Sequence, residues 1–456
     1  MMRVLRGAIL AIALLVAVFL LFAPLALGYV AETAYGRALA DLVARNPGLE
    51  IIQDRYERGW FSSSATTELL IHAEGDARAT GRQLHLRLDS RVDQGPLHWI
   101  ARAVPPVVGR VQSRLEIQGL PLVLPVLPLE IDLRLDGSGL ARLDVPAGET
   151  PATSDAAGVR HGVIRGEAAL TSDQRITAWL DLPELEILGG RVAVARLTAA
   201  RLDLERPAMG SGVLRLNAAR LDLGAVAAAR PIAPALGVAT EGAWIEGLTA
   251  SLFQARQDPL SDLRLTLAAE SAGTASSRYG RSEIGFVGER LDVQMLGELA
   301  EGLSALVSGQ VAQEMRGLVA ASLFARLVPS LLDHGTRLAI EPLLVQTGEG
   351  LAQGHLELSL EGAGGTAASG LLARHLLGWL APLRAEGALD VPESLAIDLL
   401  TGGTGDADAR AEAAATLNAW ASEGWVTRRD AHLSSALRFG DGLLTINGKT
   451  LPLRLR

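Results

Sequence analysis

The chain has 456 residues, of which 49% are hydrophobic and 4% aromatic, with 42 Lys and Arg against 51 Asp and Glu for a net charge of −9. This excludes a disordered chain and calls for a core of Leu, Val, Ile and Ala, while the acidic balance argues against a nucleic-acid partner. Cysteine is absent, which excludes disulfides, thiolate metal sites and Cys nucleophiles and leaves the redox compartment open. Lys449 is the only lysine, a bias expected of a GC-rich genome.

Residues 7–31 carry no charge. At 1.5 Å per residue, about 20 such residues cross a hydrocarbon layer of about 30 Å. The 11 Leu, Ile, Val and Phe side chains between Gly7 and Phe22 favour insertion by ~3 to 7 kcal/mol. Arg3 and Arg6 precede the run and Glu32 is the first charge after it. By the positive-inside rule this predicts a single-pass membrane protein with a cytoplasmic N-terminus, everything after the run being exported. A cleaved signal peptide is the rival reading, with Ala26–Gly28 a poor cleavage site and an apolar run longer than such peptides use.

Residues 32–48 read as a short helix and linker, with Leu39, Leu42 and Val43 on one face and Asn-Pro-Gly at 46–48 as the stop. Residues 49–290 read as β-rich. In the segment 82–92, Leu84, Leu86 and Leu88 alternate with His85, Arg87 and Asp89, the period of an antiparallel strand with one buried and one wet face. The pattern returns at 130–145, at Ala200, at Ala219 and at Arg290 without a fixed spacing, so it is a reused strand chemistry and not a solenoid.

A helical insertion is expected over 291–335, stopped at His334–Gly335. Strands, a helix over about 409–424 and a closing hairpin fill 336–456, with Asn447–Gly448 as a type I′ turn. The stretch 371–383 is too short and too charged for a second span and reads as a core helix. The predicted fold is mainly β with some α: a transmembrane helix, then a large, mostly antiparallel, curved sheet with inserted helices.

The segment 56–69 places Arg-Gly-Trp-Phe between two strand-like runs. Gly59 supplies a tight turn, and Trp60 and Phe61 bring apolar area to seal a sheet end, with Tyr56 within reach. The functional alternative makes Tyr56, Arg58, Gly59, Trp60 and Phe61 a contact with lipid headgroups. Arg55 and Arg58 then meet phosphates, or else keep a sheet edge soluble.

Four pieces in order resemble the YdgA-like family of bacterial envelope proteins, whose function is uncharacterised. They are the N-terminal run followed by the 56–69 segment, Val92–Pro106 with its Gly-Pro, the strand-rich 337–359, and the closing 440–453. Gln94 stands where many relatives carry His before the Gly-Pro, which argues against a required catalytic His there.

No histidine sits in HExxH or another close metal spacing, there is no GxSxG, and Gly402–Gly405 lacks the Lys-Ser/Thr of a phosphate loop. No catalytic, cofactor or metal residue is therefore assigned. The expected function is non-enzymatic: a periplasmic β-groove for lipid or another hydrophobic envelope component. The alternatives are a scaffold or assembly factor for an envelope protein and, behind it, a hydrolase of envelope polymers. Membrane contact is expected through residues 7–31.

Overall fold

The computed structural model describes residues 28, 29, 32, 33, 35–37, 39, 40 and 43, all helical, and then 49–72, 83–94, 107–120, 122–134, 136–153, 156–189, 192–207, 211–224, 242–257, 260–274, 278–292, 334–360, 383–401, 407–440 and 443–452. The apolar run up to residue 27, the Gly-Pro segment 95–106, the body of the expected helical insertion at 293–333 and the stretch 371–382 lie outside the described residues. Among the described residues no helix is long and apolar enough to cross a membrane.

The chain divides into two compact units, one of residues 1–193 and 203–208, the other of 194–202 and 209–456. The first holds β1 (Leu49–Arg58), β2 (Ser62–His72), β3 (Gln83–Gln94), β4 (Val107–Gln118), β5 (Leu127–Arg134), β6 (Gly139–Val145), β7 (Gly148–Thr150), β8 (Gly158–His161), β9 (Ile164–Leu170) and β10 (Ile176–Gly189). The unit boundary falls inside β11 (Val192–Arg206). Strands β1 to β6 form an antiparallel meander, continued by β9 and β10.

Pairing fixes which residues share a face. Glu68, Arg87 and Glu116 align across three strands, and Arg110 lies opposite Asp93 on one side and Asp132 on the other. The opposite face carries the row Val92, Val111, Ile131, Ala141 and the row Leu88, Leu115, Leu127. The alternation read in 82–92 is therefore the observed two-faced arrangement.

The second unit contains β12 (Ser211–Leu223), β13 (Ala243–Gln257), β14 (Leu260–Ala269), β15 (Ser271–Gly273), β16 (Arg278–Tyr279), β17 (Ser282–Asp292), β18 (Arg337–Thr347), β19 (Gly350–Leu360) and β20 (Leu383–Pro392). After β20 come helices α1 (Glu393–Leu400) and α2 (Ala407–Glu423), then β21 (Thr427–Arg429), β22 (His432–Gly440), β23 (Leu443–Ile446) and β24 (Lys449–Pro452). Again the sheet is an antiparallel meander, β12 to β14, then β17 to β20, then β22 to β24.

The recurring Arg-Leu-Asp signal does not mark equivalent places. Arg220 and Asp222 share a face with Leu214 and Leu216, because β12 keeps one register along its length while its polar and apolar positions exchange at Ala218–Ala219. Arg290 has a φ of 58° near the end of β17, and its N–H donates to Asp262 Oδ1 at 2.8 Å. There the strand is irregular, not a simple repeat.

Helix α1 starts directly after Pro392, which ends β20. Helix α2 ends in a Schellman motif: Gly424, at φ 78°, donates to Ala421 O, and Trp425 donates to Trp420 O. The closing hairpin then grips this end. Asn447 and Gly448 both have positive φ, 48° and 80°, as the type I′ turn requires. Asn447 Nδ2 donates to Trp425 O at 2.9 Å and Gly424 O at 3.3 Å, while its Oδ1 accepts from Ala436 N at 2.8 Å. Lys449 Nζ donates to the Glu423 carbonyl at 2.6 Å, a cation on the negative end of α2.

Asn447→Ala removes three hydrogen bonds and places a Cβ residue without a polar side chain at positive φ. It is expected to cost about 2–4 kcal/mol, read as a drop in the urea midpoint of the purified chain, whereas Asn447→Gly should recover part of the loss because the turn geometry survives.

Candidate functional site

Two places collect exposed apolar side chains. The first is the turn between β1 and β2. Arg58 ends β1, Ser62 begins β2, and Gly59, Trp60 and Phe61 make the bend. A Cβ on Gly59 would collide with the Ser62 carbonyl oxygen, so the close approach of backbone requires glycine. Trp60 is 43% and Phe61 48% exposed. They do not seal a sheet end as a core pair would.

The helical residues before the hairpin dock on it. Tyr35 packs against Tyr56 with ring centroids 5.6 Å apart, and its hydroxyl makes a short hydrogen bond with Thr67 Oγ1. Burial, with the Asp54 carboxylate adding to it, pushes the Tyr35 phenol up to about 12. The Tyr56 hydroxyl is buried and finds no hydrogen-bond partner among the described residues. Arg58 pairs with Glu32 at 3.3 Å and stands 5.8 Å from the Tyr29 ring. Arg55 pairs with Glu57 at 2.5 Å. Of the residues singled out in this stretch, Tyr56 and Arg58 thus hold the helix, and Gly59, Trp60 and Phe61 form the tip.

The second place is an apolar cleft of about 680 Å³ in the second unit. Its floor is sheet: Leu343, Val345, Ala352, Leu389 and Val391. Its wall is helical: Leu395 and Leu399 one turn apart on α1, with Leu417 and Trp420 on α2. Leu417 is 2% exposed and fixes α2 onto Ala352, Val391 and Leu433. Leu399, by contrast, is 70% exposed.

The floor continues onto an open apolar face. Leu216, Ala250, Leu267, Ile284, Leu343, Gly354 and Leu389 align across seven strands. A parallel row runs through Leu214, Leu252, Leu265, Phe286, Ile340 and Leu356. At about 4.8 Å per strand the longer row spans roughly 30 Å. Leu267, Ile284, Phe286, Leu356 and Leu389 all remain exposed.

Charged side chains on the other face are engaged with one another. Arg337 of β18 reaches Glu289 of β17 at 3.0 Å and Glu357 of β19 at 2.9 Å. Its hydrogen bond to Glu357 holds that carboxyl below the ordinary carboxylate value. Asp136 and Asp173 are also lowered, each first by a neighbouring hydroxyl, Ser138 and Thr171. Among the described residues no group of three or more His, Asp or Glu is arranged to hold a metal ion.

The cleft and the tip are legible only in part from sequence. The Pro-Glu at 392–393 is a helix-start signal that would have placed α1, but its eight residues are hidden in an apolar stretch that also suits a strand.

These features define a mostly antiparallel β-sheet protein whose strands largely segregate charged from aliphatic side chains by face, with two helices walling an apolar cleft in the second unit. The chain belongs to a family described as "Bacterial protein of unknown function (DUF945)", whose model matches residues 1–454. No curated protein and no solved structure matches it.

Gly59→Ala is expected to lower stability by about 1–3 kcal/mol, since backbone must move to admit the Cβ; chemical denaturation of the two chains measures it. Arg337→Gln tests the charged ladder. The Glu357 carboxyl is lowered in the folded state, so its contribution is present above the unfolded value of about 4.3 and lost as pH falls through the folded value. Because Glu357 is 40% exposed, the penalty at pH 7 should be under ~1 kcal/mol. It should shrink towards zero as urea titrations are repeated at decreasing pH.

Proposed function

We propose that the protein is a single-pass inner-membrane protein of the bacterial envelope whose β-rich body holds the hydrocarbon part of a lipid. The observation that carries this is the helix-walled cleft running onto aliphatic rows that stay exposed across the sheet. Soluble proteins rarely leave so continuous an apolar patch uncovered unless it binds something. A cleft of this size lies within the range of about 300–1,000 Å³ used for small-molecule sites.

The chemistry of the lining selects the ligand class. Side chains at the floor and wall are aliphatic or aromatic, with Ser282 and Gln353 as the few polar ones. An acyl chain therefore gains from burial, about 0.8 kcal/mol per methylene, while its headgroup finds no charged partner there. The apolar run at 7–31 and the resemblance to YdgA-like envelope proteins support a location at the source of such lipids.

A protein-binding scaffold is the second reading. Leu399 and Leu400, both exposed on α1, favour it as a helix surface for another envelope protein.

Leu389→Glu sets a carboxylate on the cleft floor at a position 44% exposed, so the fold should survive, as circular dichroism would verify. Lipid retained through purification and counted by mass spectrometry should fall at least about tenfold, the effect of a cost above ~1.4 kcal/mol. Wild-type protein that carries no lipid and forms only protein adducts on crosslinking in cells would reject the lipid reading in favour of the scaffold.

A further inference from the structure

We infer that the β1–β2 turn is a membrane-contacting tip, with Tyr29, Trp60 and Phe61 seated in the headgroup region of the bilayer from which the chain emerges. The inference rests on residues 7–31 being an anchor, as proposed above, and adds a second point of contact to it.

Direction is the first argument. Tyr35 meets Tyr56, while Glu32 and Tyr29 meet Arg58. Going from Tyr35 back to Tyr29 moves about 9 Å towards the apolar run, at 1.5 Å per helical residue. The contacts meanwhile advance along β1 from Tyr56 to Arg58, the last residue before the turn. The turn therefore lies towards the Tyr29 end of these helical residues, the end that leads in sequence into the uncharged run. Three side-chain contacts, two of them made by Arg58, fix this orientation.

Depth is the second. The uncharged run ends at Ala31 and Glu32 follows, so the helix leaves the hydrocarbon near Tyr29. Arg58 is held at that level by Glu32 and the Tyr29 ring. Trp60 and Phe61 follow by two and three residues, within roughly 10 Å of Arg58 along the chain.

Chemistry is the third. Tyr29 is 63% exposed, and Trp60 and Phe61 are exposed as well. Tyr and Trp, apolar bodies with a polar tip, concentrate at bilayer interfaces. An arginine can extend its guanidinium among phosphates while its stem stays in the apolar layer. On a sheet end facing water, these three aromatics would be an unexplained cost. At the level where the anchor surfaces, they match the solvent.

This arrangement has a mechanical consequence. A single helix leaves a body free to swing on its linker. A second contact at the hairpin tip fixes the first sheet at a set tilt over the membrane.

The absence of native cysteine permits a direct test on the full chain. Phe61→Cys and Leu120→Cys each introduce one thiol. Leu120 is exposed and follows β4 at the end where Gln118 pairs with His85, away from the turn. Each variant is labelled with an environment-sensitive fluorophore and reconstituted in vesicles of phosphatidylethanolamine and phosphatidylglycerol. The expected result is a blue-shifted emission from the label at position 61, quenched by lipids carrying a nitroxide near the headgroup. The label at position 120 should give a water-like, unquenched emission. Flotation of the vesicles reads the anchor separately. Protein that floats but leaves the label at 61 as wet as the label at 120 overturns the tip contact and leaves the anchor standing. Protein that does not float overturns both.

Discussion

In-register antiparallel pairing is the constraint on which the structure depends. With a side-chain period of two, one register fixes every residue to a face, and a one-residue slip would exchange the faces wholesale. The charged rows oppose such slips. Arg110 between Glu130 and Asp132, Arg142 beside Asp132 and Glu167, and Arg337 between Glu289 and Glu357 each bridge neighbouring strands. The exposed pairs among them each contribute under ~1 kcal/mol, while Arg110 and Asp132, at 17% and 10% side-chain exposure, form a largely buried pair whose desolvation offsets much of the attraction. Their larger effect is on specificity, because a shifted strand would put leucine against arginine and like charges together. With the charged face thus fixed, the aliphatic face has no alternative position. A Leu left half-exposed forgoes roughly half of the ~1.5–3 kcal/mol that full burial supplies, so the exposed row from Leu267 to Leu389 is tolerated only where something else is gained.

The helices show what closes part of that face. Leu417 seals α2 onto Val391 and Leu433, and the last hairpin holds the end of α2 through Asn447 and Lys449. The Asn-Gly turn therefore has two roles, reversing the chain and fastening a helix terminus. Its amide sits 22 to 23 residues from the carbonyls it serves. The cleft lies between α1, α2 and the sheet, and Leu399 and Leu400 of its α1 wall remain exposed.

Much of this was legible in sequence because its cause is local. The alternation in β3, the Asn447–Gly448 turn and the helix at 407–423 depend on neighbours within a few residues. The exchange of faces at Ala218–Ala219 was not, since Arg-Leu-Asp-Leu reads as one more copy of a familiar strand until the register with β13 is known. Nor was the Arg58–Glu32 pair, whose partners are 26 residues apart. The turn residues themselves were found, yet their use as a sheet seal was the reading that exposure does not support. Gly and two aromatics at a bend carry the same sequence signature whether the aromatics turn inwards or outwards. Only the helix docked beside them decides it.

The charged face is the part of the molecule richest in functional groups and so the natural place to look for a polar ligand. Its geometry argues against one. The arginines bridging its strands meet carboxylates within about 2.7–3.6 Å, and the hydrogen bonds they donate are spent inside the sheet. An anion would have to displace those carboxylates and desolvate them in turn. Glu357, the carboxylate on this face with a shifted value, is lowered, which keeps it ionised and unsuited to donate a proton near neutral pH. The aliphatic face has no such internal compensation, because two leucines side by side still leave their outer surfaces to water. What that face leaves unsatisfied is apolar surface.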